Sequence, residues 1–457
     1  MTIQTAIAAL ETLLGDGLSR SKGDLDLHAQ SETYFDPVQP DAVAFPKTTE
    51  DVSRIVSICA DHGCPIVAWG TGTSLEGHAL AIRGGISLDL SKMNKVLEVN
   101  SADMDVRVQP GLTRRELNEE LRATGLFFPV DPGANASLGG MAATRASGTT
   151  TVRYGTMRDN VMALEVVLPD GRVIRTGTRA RKSSAGYDLT GLFVGSEGTL
   201  GIITELTLKL HGQPQAIGAA VCAFDTVEQA VETVIGTIQM GVPMARIELL
   251  DTASVEAVNA HGGLGLPEKP HLLIEFHGSN AAVAEDAEVL KEIASDNGGL
   301  GFDWATQVEE RNKLWRVRHD AYYAITQSRA GATALVTDVC VPISHLAEAI
   351  AETQRDIEDS PLAGPILGHV GDGNFHAILL IDPENPTEKM AAKELSAKMA
   401  ERALRFGGTV TGEHGVGIGK LDFMAAEHGD AWDVMKIIKQ AIDPQAIMNP
   451  GKMVQQN

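Results

Sequence analysis

The chain has 457 residues and a mass of 48.5 kDa, about three times the usual domain size, so we expect two or three domains. Hydrophobic residues make up 43% and charged residues 21% of the chain, which is typical of globular proteins and argues against a disordered chain. The formal net charge of −22 repels phosphates and anionic lipids, which argues against nucleic acid or a charged membrane as partner.

The cysteines and the N-terminus bear on location. Cys59, Cys64, Cys222 and Cys340 form no CxxC pair, so we predict reduced thiols in a cytoplasmic protein. Residues 1–20 lack a basic cap before an apolar core, and they predict an amphipathic helix rather than a signal or transit peptide. No apolar run reaches about 18 residues, so we expect no spanning helix. A peripheral association with the inner face of a membrane remains open, although the net charge does not favour it.

Helical and strand patterns alternate along the chain and predict an α+β protein with two mixed sheets covered by helices. We expect a domain boundary near residue 213, because glycine motifs become rare there and longer helices follow, and a return segment near residue 420. The predicted elements are helices at 49–62, 113–125, 226–240, 281–296 and 306–328, strands at 65–69, 86–90, 95–99, 105–110, 216–223 and 245–250, and a hairpin at 161–176.

Three glycine-rich loops lie within 135 residues of one another, at 70–78, 132–148 and 195–203. Backbone N–H groups of such loops can bind a pyrophosphate, and small residues allow a ligand to approach the backbone. The spacing of the first loop matches neither GxGxxG nor GxxxxGK[ST], which excludes a Rossmann fingerprint and a P-loop. Three loops suit one long ligand, and FAD fits better than a mononucleotide.

Two segments combine histidine with acidic residues. Residues 368–376 (GHVGDGNFH) predict a hairpin that aims two imidazoles at one point, although two unrelated histidines on a hairpin remain the alternative. Residues 411–417 (TGEHGVG) add a carboxylate. Two histidines and one carboxylate suit Zn, Mn or Fe with positions open for substrate. The spacing is not that of a helical HExxH motif, so a zincin is excluded.

In order along the chain, PKTTEDV (46–52), GTGTSLEGH (70–78), PGANASLGGMAATRASG (132–148), YGT (154–156) and GSEGTLGIITE (195–205) resemble the FAD domain of vanillyl-alcohol-oxidase-type flavoproteins. Within these, the chain is similar to the D-2-hydroxyacid dehydrogenases, from about residue 36 to MNPGKM (448–453), and its nearest match is to the cytochrome-type D-lactate members. The resemblance implies a two-subdomain FAD-binding domain of the vanillyl-alcohol-oxidase/PCMH type and an α+β substrate (cap) domain with an antiparallel sheet.

The resemblance also implies the domain limits and the cofactor contacts. We expect an N-terminal helical segment (1–35), the FAD-binding domain (36–213), the substrate domain with the metal site (214–420) and a C-terminal segment that returns to the FAD domain (421–457). Thr73 stands where some relatives hold the flavin through a histidine, which implies non-covalent FAD. The implied FAD contacts are Gly70, Thr71, Gly72, Thr73, Ser74, Gly77, His78, Pro132, Gly133, Gly139, Gly140, Ala143, Thr144, Ser147, Gly148, Tyr154, Gly155, Glu197, Gly198, Gly201, Ile202, Ile203 and Asn449.

For the metal and the catalytic base, the resemblance implies His369, His376 and Glu413 as ligands of one divalent ion and His414 as the base. A neutral imidazole accepts a proton readily near physiological pH.

The implied substrate contacts are Arg318, Tyr322, Asn374 and His414, with Arg318 binding the substrate carboxylate through its planar fork of N–H groups. Arg316 lies roughly 200° around the same predicted helix and is expected to face solvent. Val336 stands where 2-hydroxyglutarate members have a lysine, and Tyr322 where they have a threonine. Both departures favour a monocarboxylate, because a second buried carboxylate would lack a partner.

The implied reaction is the flavin-dependent oxidation of a D-2-hydroxy acid, D-lactate to pyruvate foremost, with proton abstraction assisted by the metal and hydride transfer to FAD. The alternatives are a D-2-hydroxyglutarate or glycolate dehydrogenase, and the flavin subunit of a multi-subunit glycolate oxidase. Electrons then pass to a cytochrome, a quinone or an electron-transfer flavoprotein, since four scattered cysteines do not make a cluster motif. A homodimer remains open.

Overall fold

The computed structural model describes residues 2–262 and 265–454 of the chain. These residues form two compact units. The first unit contains Met1–Ser147, Gly155–Gln213 and Glu413–Asn457, and the second contains Gly148–Tyr154 and Pro214–Gly412.

Sixteen helices occur in the described residues, and several begin with a capping box in which a threonine and the residue three positions later exchange hydrogen bonds. They are α1 (Ile3–Leu14), α2 (Lys22–His28), α3 (Thr49–His62), α4 (Arg114–Glu120), α5 (Leu138–Thr144), α6 (Thr151–Tyr154), α7 (Met157–Asn160), α8 (Leu189–Phe193), α9 (Val227–Gln239), α10 (Thr252–Ala260), α11 (Asn280–Asp296), α12 (Val308–Gln327), α13 (Leu346–Glu358), α14 (Pro386–Arg405), α15 (Met424–His428) and α16 (Asp430–Ile442).

Nineteen strands lie between these helices, counted over the same residues. They are β1 (Leu18–Ser19), β2 (Ala42–Ala44), β3 (Ile66–Trp69), β4 (Ile86–Asp89), β5 (Val96–Asn100), β6 (Asp105–Val108), β7 (Leu126–Phe127), β8 (Val161–Val167), β9 (Val173–Gly177), β10 (Ile202–Lys209), β11 (His211–Gly212), β12 (Ala216–Ala223), β13 (Met244–Leu250), β14 (His271–Gly278), β15 (Leu300–Ala305), β16 (Thr333–Val336), β17 (Val339–Cys340), β18 (Ile366–His369) and β19 (Asn374–Ile381).

The first unit is built on a mixed four-stranded sheet, β1-β2-β4-β3, and an antiparallel five-stranded sheet, β5-β6-β10-β8-β9. A short pair, β11 with β7, completes it. Each large sheet has its own apolar core: α1 and α3 pack on the first, and α4 and α5 pack on the second. This arrangement is the pair of subdomains that the sequence predicted.

The second unit is one antiparallel eight-stranded sheet in the order β15-β12-β14-β13-β18-β19-β16, with β17 also paired to β19. Apolar clusters lie on the sheet, one with helices α9, α11, α13 and α14 and the other with α10 and α12. Strands β13, β18 and β19 are therefore neighbours in space although more than 100 residues separate the first from the other two.

The predicted elements agree closely with the structure. The helix predicted at 113–125 ends at Glu120 and continues as a 3-10 turn, Leu121–Thr124. The expectation of two mixed sheets is wrong: only the sheet containing β3 and β4 has parallel pairs in the described chain, because apolar alternation does not encode the direction of strand pairing. Among the described residues, no helix has both the length and the apolar character to cross a membrane.

Asp251 caps α10 and provides a test of the second unit's stability. Its carboxylate accepts a hydrogen bond from the Ser254 N–H (2.8 Å), but burial raises its pKa from 3.8 to about 6. A carboxyl group whose pKa is higher in the folded state stabilises the fold below the unfolded pKa, and this contribution is lost as pH rises through about 6. Asparagine is also a good helix cap but does not titrate, so Asp251→Asn removes this pH dependence of the stability.

We therefore expect Asp251→Asn to be more stable than the wild type at pH 7.5, by up to about 3 kcal/mol, with the difference shrinking towards pH 4. Urea unfolding of both proteins at pH 4.5 and 7.5 measures the effect. Asp188→Asn, at the exposed cap of α8, is the matched control. Equal pH dependence in Asp251→Asn and the wild type would contradict this account.

Candidate active site

The three glycine-rich loops of the first unit meet at α5. The Ser137 Oγ, just before this helix, lies 2.3 Å from where a Cβ on Gly70 would be, so a larger residue at position 70 would collide with the second loop. The third loop is tied to the end of the helix, since the Gly195 N–H donates to the Ala142 carbonyl (2.9 Å) and the Glu197 N–H to the Ala143 carbonyl (2.8 Å). Residues predicted to contact one extended ligand are thus brought together.

The predicted FAD contact Asn449 joins two of these loops. Its amide donates to the His78 carbonyl (3.1 Å) and to the Glu197 carbonyl (2.7 Å), and its Oδ1 accepts from the Lys452 Nζ (2.6 Å). Burial lowers the pKa of Lys452 to about 7. Through its hydrogen bonds to His78 and Glu197, the side chain of Asn449 holds the first and third glycine-rich loops in position.

Glu197 connects the third glycine loop to the segment that carries the predicted base. Its carboxylate accepts from the N–H groups of Val416 (2.6 Å) and Gly417 (2.9 Å), and the His78 Nε2 lies 3.2 Å away. Burial raises the pKa of Glu197, but His78 and the two N–H groups outweigh this effect and hold the pKa below its usual value. The anionic side chain therefore fixes the backbone directly after His414.

Glu413 and His414 belong to the first unit. The Ser147 Oγ–H donates to the Glu413 Oε2 (2.8 Å), and the His414 Nδ1 lies 4.0 Å from the Glu76 Oε1. His414 is mostly buried, with 10% of its side chain exposed. Glu76, the neighbouring carboxylate, was not among the predicted site residues, although it lies in the first glycine loop.

In the second unit, the hairpin β18–β19 carries His369 and His376, as the sequence predicted. The turn needs glycine at position 373, where φ is +77° and a Cβ would lie 2.1 Å from the Val341 carbonyl oxygen. His369 pairs with Asn374 across the strands, and His376 lies two residues further on the same face. The two imidazole rings are consequently close, with 5.6 Å between centroids.

Both imidazoles are oriented through the same nitrogen. The His369 Nδ1 lies 2.7 Å from the Glu248 Oε1, and the His376 Nδ1 lies 2.9 Å from the Thr337 carbonyl oxygen. Carboxylate and carbonyl oxygens only accept, so Nδ1 carries the proton in each ring. Nε2 is then the nitrogen that a metal would use, and this is the usual tautomer of a metal-binding histidine whose other nitrogen is held by an oxygen.

Sequence reasoning missed Glu248, which lies on β13 and is fully buried. Besides His369, it accepts a hydrogen bond from the Arg318 Nε (2.7 Å). Burial alone raises the pKa of Glu248, but His369 and Arg318 outweigh it through charge and hydrogen bonds and hold the pKa below its usual value. No local motif marks this glutamate, and only the pairing of β13 with β18 places it beside His369.

Asp338 is a second acidic residue that the prediction left without a role. It is fully buried, accepts from the Asn374 Nδ2 (2.7 Å) and the Thr411 Oγ1 (2.6 Å), and lies 3.7 Å from the His376 Nδ1. These contacts fix Asn374, a predicted substrate contact, next to the histidine pair. The sequence signal that could have indicated Asp338 is its position in TDVCVP (337–342), just before the paired strand β17.

The remaining predicted residues of the second unit are more scattered. Arg316 is exposed on α12, as expected, and Tyr322 on the same helix is 37% exposed. Residues 148–154 belong to the second unit, and the Tyr154 hydroxyl lies 2.7 Å from the His277 Nδ1. Tyr322 as a substrate contact and Tyr154 as an FAD contact therefore stay predictions.

Comparison with known proteins identifies the family. Residues 40–177 match the family described as "FAD binding domain", and residues 213–453 match "FAD linked oxidases, C-terminal domain". The chain is 47% identical to a probable mitochondrial D-lactate dehydrogenase of Danio rerio, over 99% of this chain and 92% of that protein. It is 46% identical to a mitochondrial D-lactate dehydrogenase (cytochrome) of Arabidopsis thaliana, over 98% and 80%. The chain belongs to the FAD-linked oxidases.

The fold comparison agrees with this assignment. The FAD-linked oxidase superimposes on p-cresol methylhydroxylase with a TM-score of 0.78 at 19% identity, over 98% of this chain and 96% of the other. The PCMH-type fold predicted from the sequence is therefore confirmed. So is the prediction of a flavoprotein oxidoreductase, because both family matches concern FAD.

The predicted cytoplasmic location of this FAD-linked oxidase is wrong. The D-lactate dehydrogenases of Danio rerio and Arabidopsis thaliana that it matches over nearly its whole length are named as mitochondrial proteins, and they point to mitochondria instead. Cysteine usage misled the prediction, because it reports a reducing environment and does not distinguish between compartments that share one.

The residues present fit both groups that the family and the motifs imply. In the first unit, three loops of small residues converge on α5, and small residues allow an extended ligand such as FAD to approach the backbone. In the second unit, two imidazoles 5.6 Å apart both direct Nε2 away from their Nδ1 partners, which suits a divalent transition metal. Glu413 as the carboxylate ligand stays a prediction.

Proposed function

We propose that this FAD-linked oxidase converts a D-2-hydroxy acid to the 2-keto acid, D-lactate to pyruvate foremost, and passes the electrons to an external acceptor. The names and high identity of the D-lactate dehydrogenase relatives support this substrate. The half-buried Val336 supports it as well, since an apolar side chain offers nothing to the second carboxylate of 2-hydroxyglutarate.

The observation that carries the proposal is the pairing of Arg318 with His369 through one buried carboxylate. Glu248 accepts from both, at 2.7 Å each, so a guanidinium and an imidazole are fixed on the same face of one sheet. A 2-hydroxy acid has a carboxylate and a hydroxyl on adjacent carbons. An arginine for the first and a metal-binding histidine for the second match that arrangement.

Arg318 binds the substrate carboxylate in this proposal. Its Nε donates to Glu248, so Nη1 and Nη2 are the donors that we assign to the carboxylate. Only 13% of the side chain is exposed, and the ion pair is strengthened by the lack of competing water. We assign Asn374 and Tyr322 as further substrate contacts.

His369, His376 and Glu413 would hold one divalent ion, Zn or Mn foremost. Such an ion, when bound, acts as a Lewis acid that lowers the pKa of the substrate hydroxyl. The two histidines contribute Nε2, because Glu248 and the Thr337 carbonyl hold their Nδ1 protons.

His414 acts as the base that takes the hydroxyl proton. The backbone that follows His414 is anchored, because the Glu197 carboxylate accepts hydrogen bonds from the N–H groups of Val416 and Gly417. The Glu76 Oε1 lies 4.0 Å from the His414 Nδ1. A positioned base contributes typically about 10²–10⁴-fold to the rate. FAD, held non-covalently because Thr73 replaces the tethering histidine, supplies the two-electron oxidant when bound.

The name of one relative supports a particular electron acceptor. We propose a cytochrome, with a quinone or an electron-transfer flavoprotein as the other candidates, since the relative from Arabidopsis thaliana is named as a cytochrome-type enzyme. We also keep the homodimer as a proposal, and gel filtration coupled to light scattering would test it.

The visible spectrum of the purified protein tests the proposed reaction. Under anaerobic conditions we expect the flavin band to bleach with D-lactate and to persist with L-lactate, while D-2-hydroxyglutarate and glycolate react more slowly. A flavin band that D-lactate leaves unchanged, but that a larger hydroxy acid bleaches, would overturn the substrate assignment. A protein that takes up no added FAD would contradict the cofactor itself.

A further inference from the structure

One fully buried carboxylate contacts two functional groups in the second unit. The Glu248 Oε1 accepts from the His369 Nδ1, and the Oε2 accepts from the Arg318 Nε, each at 2.7 Å. Glu248 is 0% exposed, so water does not compete for either oxygen. A carboxylate in such a place is costly unless both of its oxygens are paired, and here the two partners fulfil that condition.

We propose that Glu248 is the positioning residue that couples metal binding to recognition of the substrate carboxylate. The proposal rests on the proposed function, in which His369 binds the metal and Arg318 binds the substrate. Glu248 itself touches neither ligand in this assignment. It acts by setting the tautomer of one partner and the orientation of the other.

The effect on His369 follows from proton placement. A carboxylate accepts and never donates, so it keeps the proton on Nδ1 and leaves the lone pair on Nε2 for the metal. The negative charge also makes the imidazole a stronger ligand. Loss of such an oriented partner costs typically about 10–100-fold in metal affinity.

The effect on Arg318 follows from geometry. The guanidinium is planar, so a hydrogen bond at Nε fixes the plane in which both Nη groups lie. A fixed plane allows two parallel hydrogen bonds to a substrate carboxylate. Without Glu248, the long side chain would have to be ordered by the substrate, and affinity would fall.

Glutamine cannot replace Glu248, although it has nearly the same shape. Both partners are donors, and glutamine offers only one acceptor oxygen besides its NH₂ group. If the oxygen faces Arg318, the NH₂ group meets the His369 Nδ1, which then must accept, and the proton moves to Nε2. If the oxygen faces His369, the NH₂ group meets the Arg318 Nε. In either orientation, Glu248→Gln therefore loses one of the two hydrogen bonds outright, and the loss of the negative charge weakens the other, so both functions are impaired.

The test measures metal binding and kinetics on the FAD-loaded full chain. After removal of metal, Zn²⁺ affinity is measured by competition with a chromophoric chelator. We expect Glu248→Gln to weaken Zn²⁺ binding about 10–100-fold. We also expect a raised KM for D-lactate that persists at saturating Zn²⁺, while kcat recovers most of its loss. A purely structural role would lower the active fraction and leave KM unchanged.

Glu388→Gln is the matched control. Glu388 is also a buried glutamate of the second unit, and it forms a two-fold hydrogen bond with Arg329 (2.8 and 2.9 Å), but the described structure gives it no histidine partner. We expect wild-type Zn²⁺ affinity and KM in this variant. Glu248→Asp is the second test variant: it keeps the charge but is too short to reach both partners at once, so we expect a smaller loss of the same kind.

The outcomes separate the two proposals. If the wild type binds Zn²⁺ and is reduced by D-lactate, while Glu248→Gln and Glu248→Asp match it in Zn²⁺ affinity and in KM, the role of Glu248 is refuted and the proposed function stands. If the wild type binds no Zn²⁺ or is not reduced by D-lactate, the proposed function fails first, and the role of Glu248 fails with it.

Discussion

Replacing His414 by alanine is expected to slow flavin reduction by D-lactate about 10²–10⁴-fold while FAD stays bound. The substitution removes the proposed base but leaves the backbone anchored, because Glu197 binds the N–H groups of Val416 and Gly417. Stopped-flow absorbance at the flavin band under anaerobic conditions gives the rate, and the spectrum of the variant reports whether FAD is retained.

His428→Ala is the matched control for this experiment. His428 ends α15 in the C-terminal part of the first unit, and 31% of its side chain is exposed. We expect wild-type kinetics for this variant, so a general effect of losing an imidazole would be visible. A rate for His414→Ala within a few-fold of the wild type would refute its role as the base.

The second large effect is expected for Arg318→Met, which removes the proposed carboxylate contact. The substitution also leaves Glu248 buried beside His369 with one partner fewer. Truncating one member of a buried charge pair costs about 2–5 kcal/mol, or roughly 30- to 5,000-fold in kcat/KM. We expect most of the loss in KM. Arg318→Lys keeps the positive charge but lacks the planar guanidinium, so we expect its kcat/KM to lie between the values of the wild type and Arg318→Met.

The helix itself supplies the control for this prediction. Arg316 lies two residues before Arg318 on α12 and is exposed, so Arg316→Met changes the same charge without touching Glu248. Steady-state kinetics with D-lactate and an artificial acceptor compare the three variants. Equal kcat/KM for Arg316→Met and Arg318→Met would show that only the overall charge of the helix matters.

Much of the fold was predictable because its signals are local. The helix at 49–62 begins after the capping residue Thr48 and ends at Gly63, whose φ of +61° suits glycine. Both signals act within one turn of the helix. The hairpin that carries His369 and His376 was predicted from a short stretch with glycine at its turn. The direction of strand pairing was not predictable, because it depends on segments far apart in the chain.

The candidate site likewise contains residues that were predicted from the sequence and residues that were not. His369 and Arg318 were predicted as site residues from the family resemblance, but the carboxylate between them was not predicted. Glu248 lies in an apolar stretch, RIELL (246–250), that is typical of any buried strand, and it is separated from His369 by 121 residues. Glu197 was predicted as a cofactor contact, yet in the structure its carboxylate holds the backbone of residues 416–417.

The sequence alone therefore determined which segments are helices, strands and glycine loops, because those signals depend on neighbouring residues and on side-chain type. The histidines and the arginine of the candidate site were predicted from the family resemblance of their motifs. The tertiary structure alone decided which buried acids support them. Glu248 and Asp338 acquire their partners only when distant strands pair, since a buried carboxylate is tolerated wherever the fold brings donors to both of its oxygens.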